Sequence, residues 1–237
     1  MIAEQTACLV AAAGRGVRFG RETPKAFHPV EGKTLLARSV GRLAASGAIG
    51  RFIVMVPEGW EEKGREEAAG AAGGVPLTVL AGGETRQESV AAGLAEAGGE
   101  GIILVHDAAR PFVSASLVER VVEAAIEAGA AVPALQVTDT LGRIRDDRLE
   151  AIVPRDRIIG IQTPQAFRAE VITRAFEEAA KSGAVSTDES SLVLAAGMHV
   201  RVVEGERWNI KITVRDDLDI AASLIAGGDF EAGGKQR

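Results

Sequence analysis

Cysteine is almost missing from this sequence: Cys8 is the only one in 237 residues, beside three histidines. A single thiol forms no intramolecular disulfide, so no disulfide framework holds the chain. Cys8 sits inside an apolar run and reads as a small buried core residue rather than a reactive one. Long hydrophobic runs are missing as well. No stretch reaches the roughly 18 uninterrupted apolar residues that a membrane span requires. The opening MIAEQTACLV carries an acid and no early basic cluster, so it does not read as a signal or transit peptide. There is also no basic surplus. The formal net charge is −6, whereas proteins that grip nucleic acid by its phosphates usually carry excess Lys and Arg. The expected partners therefore include neither nucleic acid nor membrane, and the expected compartment is the cytoplasm. No internal repeat divides the chain, nor does any linker rich in Pro, Gly or Ser. One domain over 1–237 is expected, within the roughly 250 residues a single α/β domain can reach.

Apolar residues make up 46% and charged residues 25%, the balance of a globular protein. Short apolar runs alternate with segments of helical periodicity. Strands are predicted at 8–13, 51–56, 77–80, 102–105 and 130–137, and helices at 34–46, 58–72, 86–97 and 116–127. Alternation of this kind predicts an α/β fold, Rossmann-like, with a mostly parallel sheet and helices on both faces. Residues 138–163 interrupt it. TLGRI, RDDR and LEAIV read as a hairpin turning at Asp146 and Asp147, an inserted β-arm. Helices at 169–179, 188–196 and 216–225 and a strand at 199–203 complete the chain.

In such sheets ligands bind beyond the carboxyl ends of strands. Two unusual segments follow predicted strand ends: AAAGRGVRFG and VHDAARP. Glycines after a first strand let backbone N–H groups approach phosphate oxygens. Here the glycines are Gly14, Gly16 and Gly20, so the dinucleotide pattern G-x-G-x-x-G is not met, and the Walker pattern is absent. The next helix begins some twenty residues on. Phosphates would therefore be held by a long loop and its cations rather than by a helix dipole. From Gly14 to Lys25 that loop holds Arg15, Arg18, Arg21 and Lys25 against one acid, Glu22. A cationic loop on an anionic protein points to a small, highly charged ligand.

AAAGRGVRFGRETPKAF resembles the A-A-G-x-G-x-R and P-K signature of nucleotidyltransferases that make activated sugars and alcohols. With VHDAARP, GGETRQESV and NIKIT, in order along the whole chain, it resembles the 2-C-methyl-D-erythritol 4-phosphate cytidylyltransferases. The resemblance implies CMP transfer from CTP to that alcohol phosphate, with Mg²⁺, no organic cofactor and no side-chain nucleophile. It assigns Arg18 and Lys25 to the CTP phosphates and the transition state, and Asp107 to the metal. It assigns Ala12, Ala13, Gly14, Gly83, Glu84, Arg86, Ser89 and Ala108 to CTP. Thr140, Arg155, Thr187, Lys211 and Arg110 are assigned to the acceptor phosphate, with Arg157 as an alternative to Arg155. Family members are homodimers whose arm crosses to the neighbouring site, so the hairpin is expected to act across a dimer. Trp208 stands where relatives often carry a small or acidic residue. His106, without a second His or Cys nearby, reads as structural. Two rivals remain: a ribitol-5-phosphate cytidylyltransferase, sharing the CTP motifs, and a non-catalytic nucleotide sensor on the same fold.

Overall fold

The structure is a computed structural model that describes residues 5–14, 23–99 and 101–227. The first strand, β1 (Thr6–Ala11), leads to a 3₁₀ turn at Lys25–Phe27, the two-residue strands β2 (Pro29–Val30) and β3 (Lys33–Thr34), and helix α1 (Leu35–Ala44). Strand β4 (Arg51–Val56), helix α2 (Glu61–Ala69), strand β5 (Leu77–Ala81) and helix α3 (Arg86–Ala97) follow. Next come β6 (Ile102–Asp107), α4 (Ala115–Ala128) and β7 (Ala130–Gln136). The hairpin strands are β8 (Leu141–Arg145) and β9 (Arg148–Val153). Two short strands, β10 (Ile159–Ile161) and β11 (Gln165–Arg168), precede α5 (Ala169–Ser182) and α6 (Glu189–Ala195). The described chain ends with β12 (Arg201–Glu204) and α7 (Asp216–Ala226).

The main sheet runs β10-β7-β11-β6-β1-β4-β5, with β12 beside β7. β1, β4, β5 and β6 are mutually parallel, as is β12 with β7. β1, β4 and β6 are buried on both faces, which is why they read as unbroken apolar runs. Because side chains alternate across a strand, one sheet feeds two cores. Cys8, Val10 and Val54 pack with Leu36 and Val40 of α1, Ala68 of α2 and Leu117 of α4. Leu9, Ile53 and Ile103 pack on the other side with Val90 of α3, Ile172 of α5 and Leu192 of α6. Each fully buried Leu or Ile contributes roughly 1.5–3 kcal/mol. A third cluster joins Val30, Leu35 and Phe112 to Ile212 and to Ala221 of α7.

The expected α/β architecture, mostly parallel with helices on both faces, is what the chain adopts. Several details differ from the sequence reading, among them the short strands β2 and β3, which were not predicted. β1 begins and ends two residues earlier than predicted, so Ala12 and Ala13 belong to the loop. Inside 138–163, the two-stranded arm is confined to Leu141–Val153. The later part, Ile159–Ile161, pairs antiparallel with β7 in the main sheet. β11, unpredicted, inserts antiparallel between β6 and β7.

Candidate active site

β1 and β6 lie side by side and end in register, Ala11 opposite Asp107. Past that point the chains continue to be tied together. The Ala108 N–H donates to the Ala11 carbonyl at 3.1 Å, and the Ala12 N–H to the Met55 carbonyl at 2.8 Å. The Ser39 hydroxyl of α1 donates to the Ala108 carbonyl at 2.8 Å. Over these strand ends opens a pocket of about 350 Å³, a volume suited to a small molecule. Ala12, Ala13 and Gly14 form one wall, and Gly83, Glu84, Thr85, Arg86 and Ser89 another; Lys25, Asp107, Ala108 and Lys211 complete it.

The second wall owes its shape to two glycines. A Cβ on Gly82 would stand 2.5 Å from the Ala13 Cβ and 2.7 Å from the Ser89 Oγ. On Gly83 it would meet the Glu88 Cβ at 2.3 Å. Gly82 lets the loop after β5 lie against Ala13 of the loop after β1, and Gly83 lets that loop turn closely into the start of α3. α3 then starts with a capping box: Thr85 accepts from the Glu88 N–H, and the Glu88 carboxylate accepts from the Thr85 N–H. The Ser89 hydroxyl accepts from the Gly83 N–H at 3.1 Å and donates to the Thr85 carbonyl at 2.9 Å. Lys25 opens a 3₁₀ turn whose Ala26 and Phe27 are buried, with the Phe27 ring against Trp60 at 4.7 Å between centroids. That anchor carries Lys25 to the pocket.

Asp107 is the electrostatic centre. Its Oδ1 accepts from Arg86 Nε at 3.1 Å, and its Oδ2 faces Lys211 Nζ at 2.6 Å. Burial pushes its pKa up, but Arg86 and Lys211 pull harder, and the carboxyl lies well below the usual carboxylate range. Arg86 reaches onward: its Nη1 donates to Glu189 Oε1. Burial lowers the Arg86 pKa, yet the two carboxylates outweigh it and the guanidinium is held firmly charged. Glu189 itself is pushed up by burial, with Arg86 opposing.

Behind Asp107 lies a hydrogen-bond network built on a neutral histidine. His106 is fully buried, and burial pushes its pKa down to about 4. Its Nε2 lies 3.1 Å from the Arg110 carbonyl, which can only accept, so that nitrogen carries the proton. Its Nδ1 then accepts from the Thr163 hydroxyl at 3.2 Å, while the same hydroxyl accepts from the Asp107 N–H at 3.1 Å. Arg110 Nη1 donates to the Asn209 carbonyl at 2.7 Å, and Asn209 Nδ2 to the Thr163 carbonyl at 2.8 Å. These bonds fix the loop that delivers Lys211.

Eleven of the residues singled out in the sequence meet at this pocket: Ala12, Ala13, Gly14, Lys25, Gly83, Glu84, Arg86, Ser89, Asp107, Ala108 and Lys211. Arg110 stands behind it as a brace. Thr140, Arg155 and Thr187 are exposed and do not line it. Arg155 donates to the Thr138 carbonyl at the foot of the arm. Arg18 lies outside the described residues. Glu189 and Thr163 were not anticipated. Glu189 follows the α6 N-cap Asp188, where an acid reads as an ordinary match to the helix dipole.

A doubly wound sheet that opens a glycine-walled, cationic pocket at its strand ends defines a nucleotide-binding α/β transferase. The family model for 2-C-methyl-D-erythritol 4-phosphate cytidylyltransferase (IspD) matches residues 6–226, and the chain belongs to that family. It is 42% identical over 221 residues to the enzyme of that name from Thermus thermophilus, covering 93% of this chain and 97% of the relative. It is 43% identical to a bifunctional IspD/IspF enzyme of Anaeromyxobacter, covering 94% of this chain but only 58% of that longer protein. The crystal structure of the Thermus thermophilus enzyme superposes with a TM-score of 0.79 at 39% identity, covering 94% and 99% of the two chains. The 4-diphosphocytidyl-2C-methyl-D-erythritol synthase of Anaerococcus prevotii gives 0.81 at 26% identity, over 94% and 98%.

Proposed function

We propose that this chain transfers CMP from CTP to 2-C-methyl-D-erythritol 4-phosphate, in the non-mevalonate route to isoprenoids. The products are 4-diphosphocytidyl-2-C-methyl-D-erythritol and pyrophosphate. One observation carries the reading: Lys25, Arg86, Lys211 and Asp107 line a single pocket whose remaining lining is mostly alanine and glycine. Small residues let a flat base lie against backbone. The cations in the same lining supply the positive charge that a triphosphate and an acceptor phosphate both require. A phosphate oxygen of the acceptor attacks the α-phosphorus, and the bond from that phosphorus to the pyrophosphate oxygen breaks. The attacking oxygen is already ionised, so no base and no protein nucleophile is required. The protein's task is to bring two anions together and to stabilise charge on the crowded phosphorus. Lys25 and Arg18 are assigned that task on the nucleotide, and Lys211 on the acceptor side.

A Mg²⁺ ion fits the donors present. Among the described residues no group of three or more His, Cys, Asp or Glu could form a protein cage. Mg²⁺ usually takes one or two carboxylates beside substrate phosphates, and Asp107 provides one at the pocket wall. Asp107 would hold the ion, which neutralises phosphate charge when bound.

The arm is read as a dimer element. Ile144, Leu149 and Ile152 are exposed at 67%, 67% and 58% on its two strands. An isolated two-stranded hairpin is marginal in water, and clustered exposed apolar side chains mark an interaction surface. A second copy that covers them would bring Thr140 and Arg155 toward a neighbouring pocket, with Thr187 on the receiving side. No described helix is long and apolar enough to cross a membrane. A buried free thiol at Cys8 suits the reducing cytoplasm, the proposed location.

Pyrophosphate release decides the function. With CTP and Mg²⁺, methylerythritol phosphate is expected to release pyrophosphate much faster than ribitol 5-phosphate. Equal or reversed rates would reassign the acceptor, and none with either would favour a sensor.

A further inference from the structure

Glu189 is the one acid of the charge chain that does not line the pocket. It is 2% exposed, at the first turn of α6. A buried carboxylate is costly unless its oxygens are satisfied. Here Oε1 takes a hydrogen bond from Arg86, and Oε2 is buried without a partner. What the carboxylate does is occupy one end of a guanidinium whose other end holds the pocket. Arg86 Nε donates to Asp107 Oδ1, and Lys211 pairs with Oδ2. The order is Glu189, Arg86, Asp107, Lys211, alternating in sign across α6, α3, β6 and the loop after β12. Remove the first charge, and Arg86 is tethered through Asp107 alone, the residue proposed to hold the metal.

We propose that Glu189 is a positioning residue of the nucleotide pocket. It holds Arg86 from behind, so that Arg86 keeps its place in the wall and Asp107 keeps its orientation when ligand charge arrives. Glu189 therefore acts on CTP only through Arg86. It also balances charge, since its loss leaves two cations against one carboxylate.

The inference rests on the CTP reading of the pocket, and a double-mutant cycle separates the two. CTP dissociation constants are measured by calorimetry with Mg²⁺ and without acceptor, for wild type, Glu189→Gln, Arg86→Ala and the double variant. Binding by the wild type tests the pocket reading by itself. Glu189→Gln is expected to weaken CTP about tenfold, and to add less than about twofold once Arg86 is already alanine. Glu189→Asp, which keeps the charge one methylene further away, is expected to recover part of the affinity. A purely structural role would lower the melting temperature but leave the two effects multiplicative. Multiplicative effects, or wild-type affinity in folded Glu189→Gln, overturn the proposal even if CTP binds the wild type well. Should Glu189→Gln fail to fold, the same cycle run with Glu189→Asp decides the matter by the same criterion.

Discussion

At the residue scale, the proposed transfer rests on a few cations of the pocket. Lys25→Ala is expected to reduce turnover on the order of 10²–10³-fold, the usual loss for one transition-state donor. Steady-state pyrophosphate release checks this, and near-normal turnover would remove Lys25 from the chemistry. His106 supports a different prediction, about stability. The fold keeps it neutral, with a pKa of about 4 against an ordinary 6.5. Above 6.5 neither folded nor unfolded chain binds that proton, and the stabilisation is complete. As pH falls from 6.5 towards 4, only the unfolded chain takes the proton up, so stability is lost across that window, by roughly 3 kcal/mol in full. Urea unfolding at about pH 7 and about pH 4.5 measures the slope, and His106→Asn is expected to flatten it. The lining residues were legible because their motifs put small and cationic side chains directly after apolar strands. Glu189 was not. Its burial comes from α6 packing beside α3, and a sequence does not show which helices become neighbours.

At the element scale, the loops after β1 and β5 must touch for the pocket to exist. Gly82→Ala places a methyl carbon 2.5 Å from the Ala13 Cβ. It is expected to push the walls apart, cost about 1–3 kcal/mol and weaken CTP more than the alcohol phosphate. Thermal denaturation and the two KM values test it; an equal effect on both substrates would argue that the wall is not the base site. The arm supports the matching acceptor-side prediction. Arg155→Ala is expected to raise the KM for the alcohol phosphate more than Arg157→Ala, and the opposite order would move the assignment. The long parallel strands and their helices were legible as apolar runs and 3.6-residue periodicity. β10 and β11 were not, because three or four residues show no period. Their place is set by β7 and β6, whose free edges accept them.

At the scale of the whole molecule, the arm makes a prediction about assembly. Leu149→Asp puts a charge among the exposed apolar side chains Ile144 and Ile152. It is expected to convert a dimer into monomers in sedimentation, with acceptor KM rising while CTP affinity is kept. A monomeric wild type would confine Thr140 and Arg155 to their own subunit. Architecture at this scale was readable from the alternation of strand and helix. The hairpin was legible too, from its polar turn; the exposure of Ile144, Leu149 and Ile152 on it was not, because those side chains have the composition of a core.

The charge chain through the pocket also bears on how the protein is made. Arg86 and Glu189 are 103 positions apart, and Lys211 comes later still. During synthesis β1, β4, β5 and β6 leave the ribosome well before α6 and the loop that carries Lys211. A growing chain therefore has Arg86 and Asp107 before it has Glu189 and Lys211, the two groups that complete the charge chain. If CTP is the ligand, its full stabilising effect is expected only once Glu189 and Lys211 have emerged, so CTP supplied during translation is expected to protect completed chains from proteases more than nascent ones.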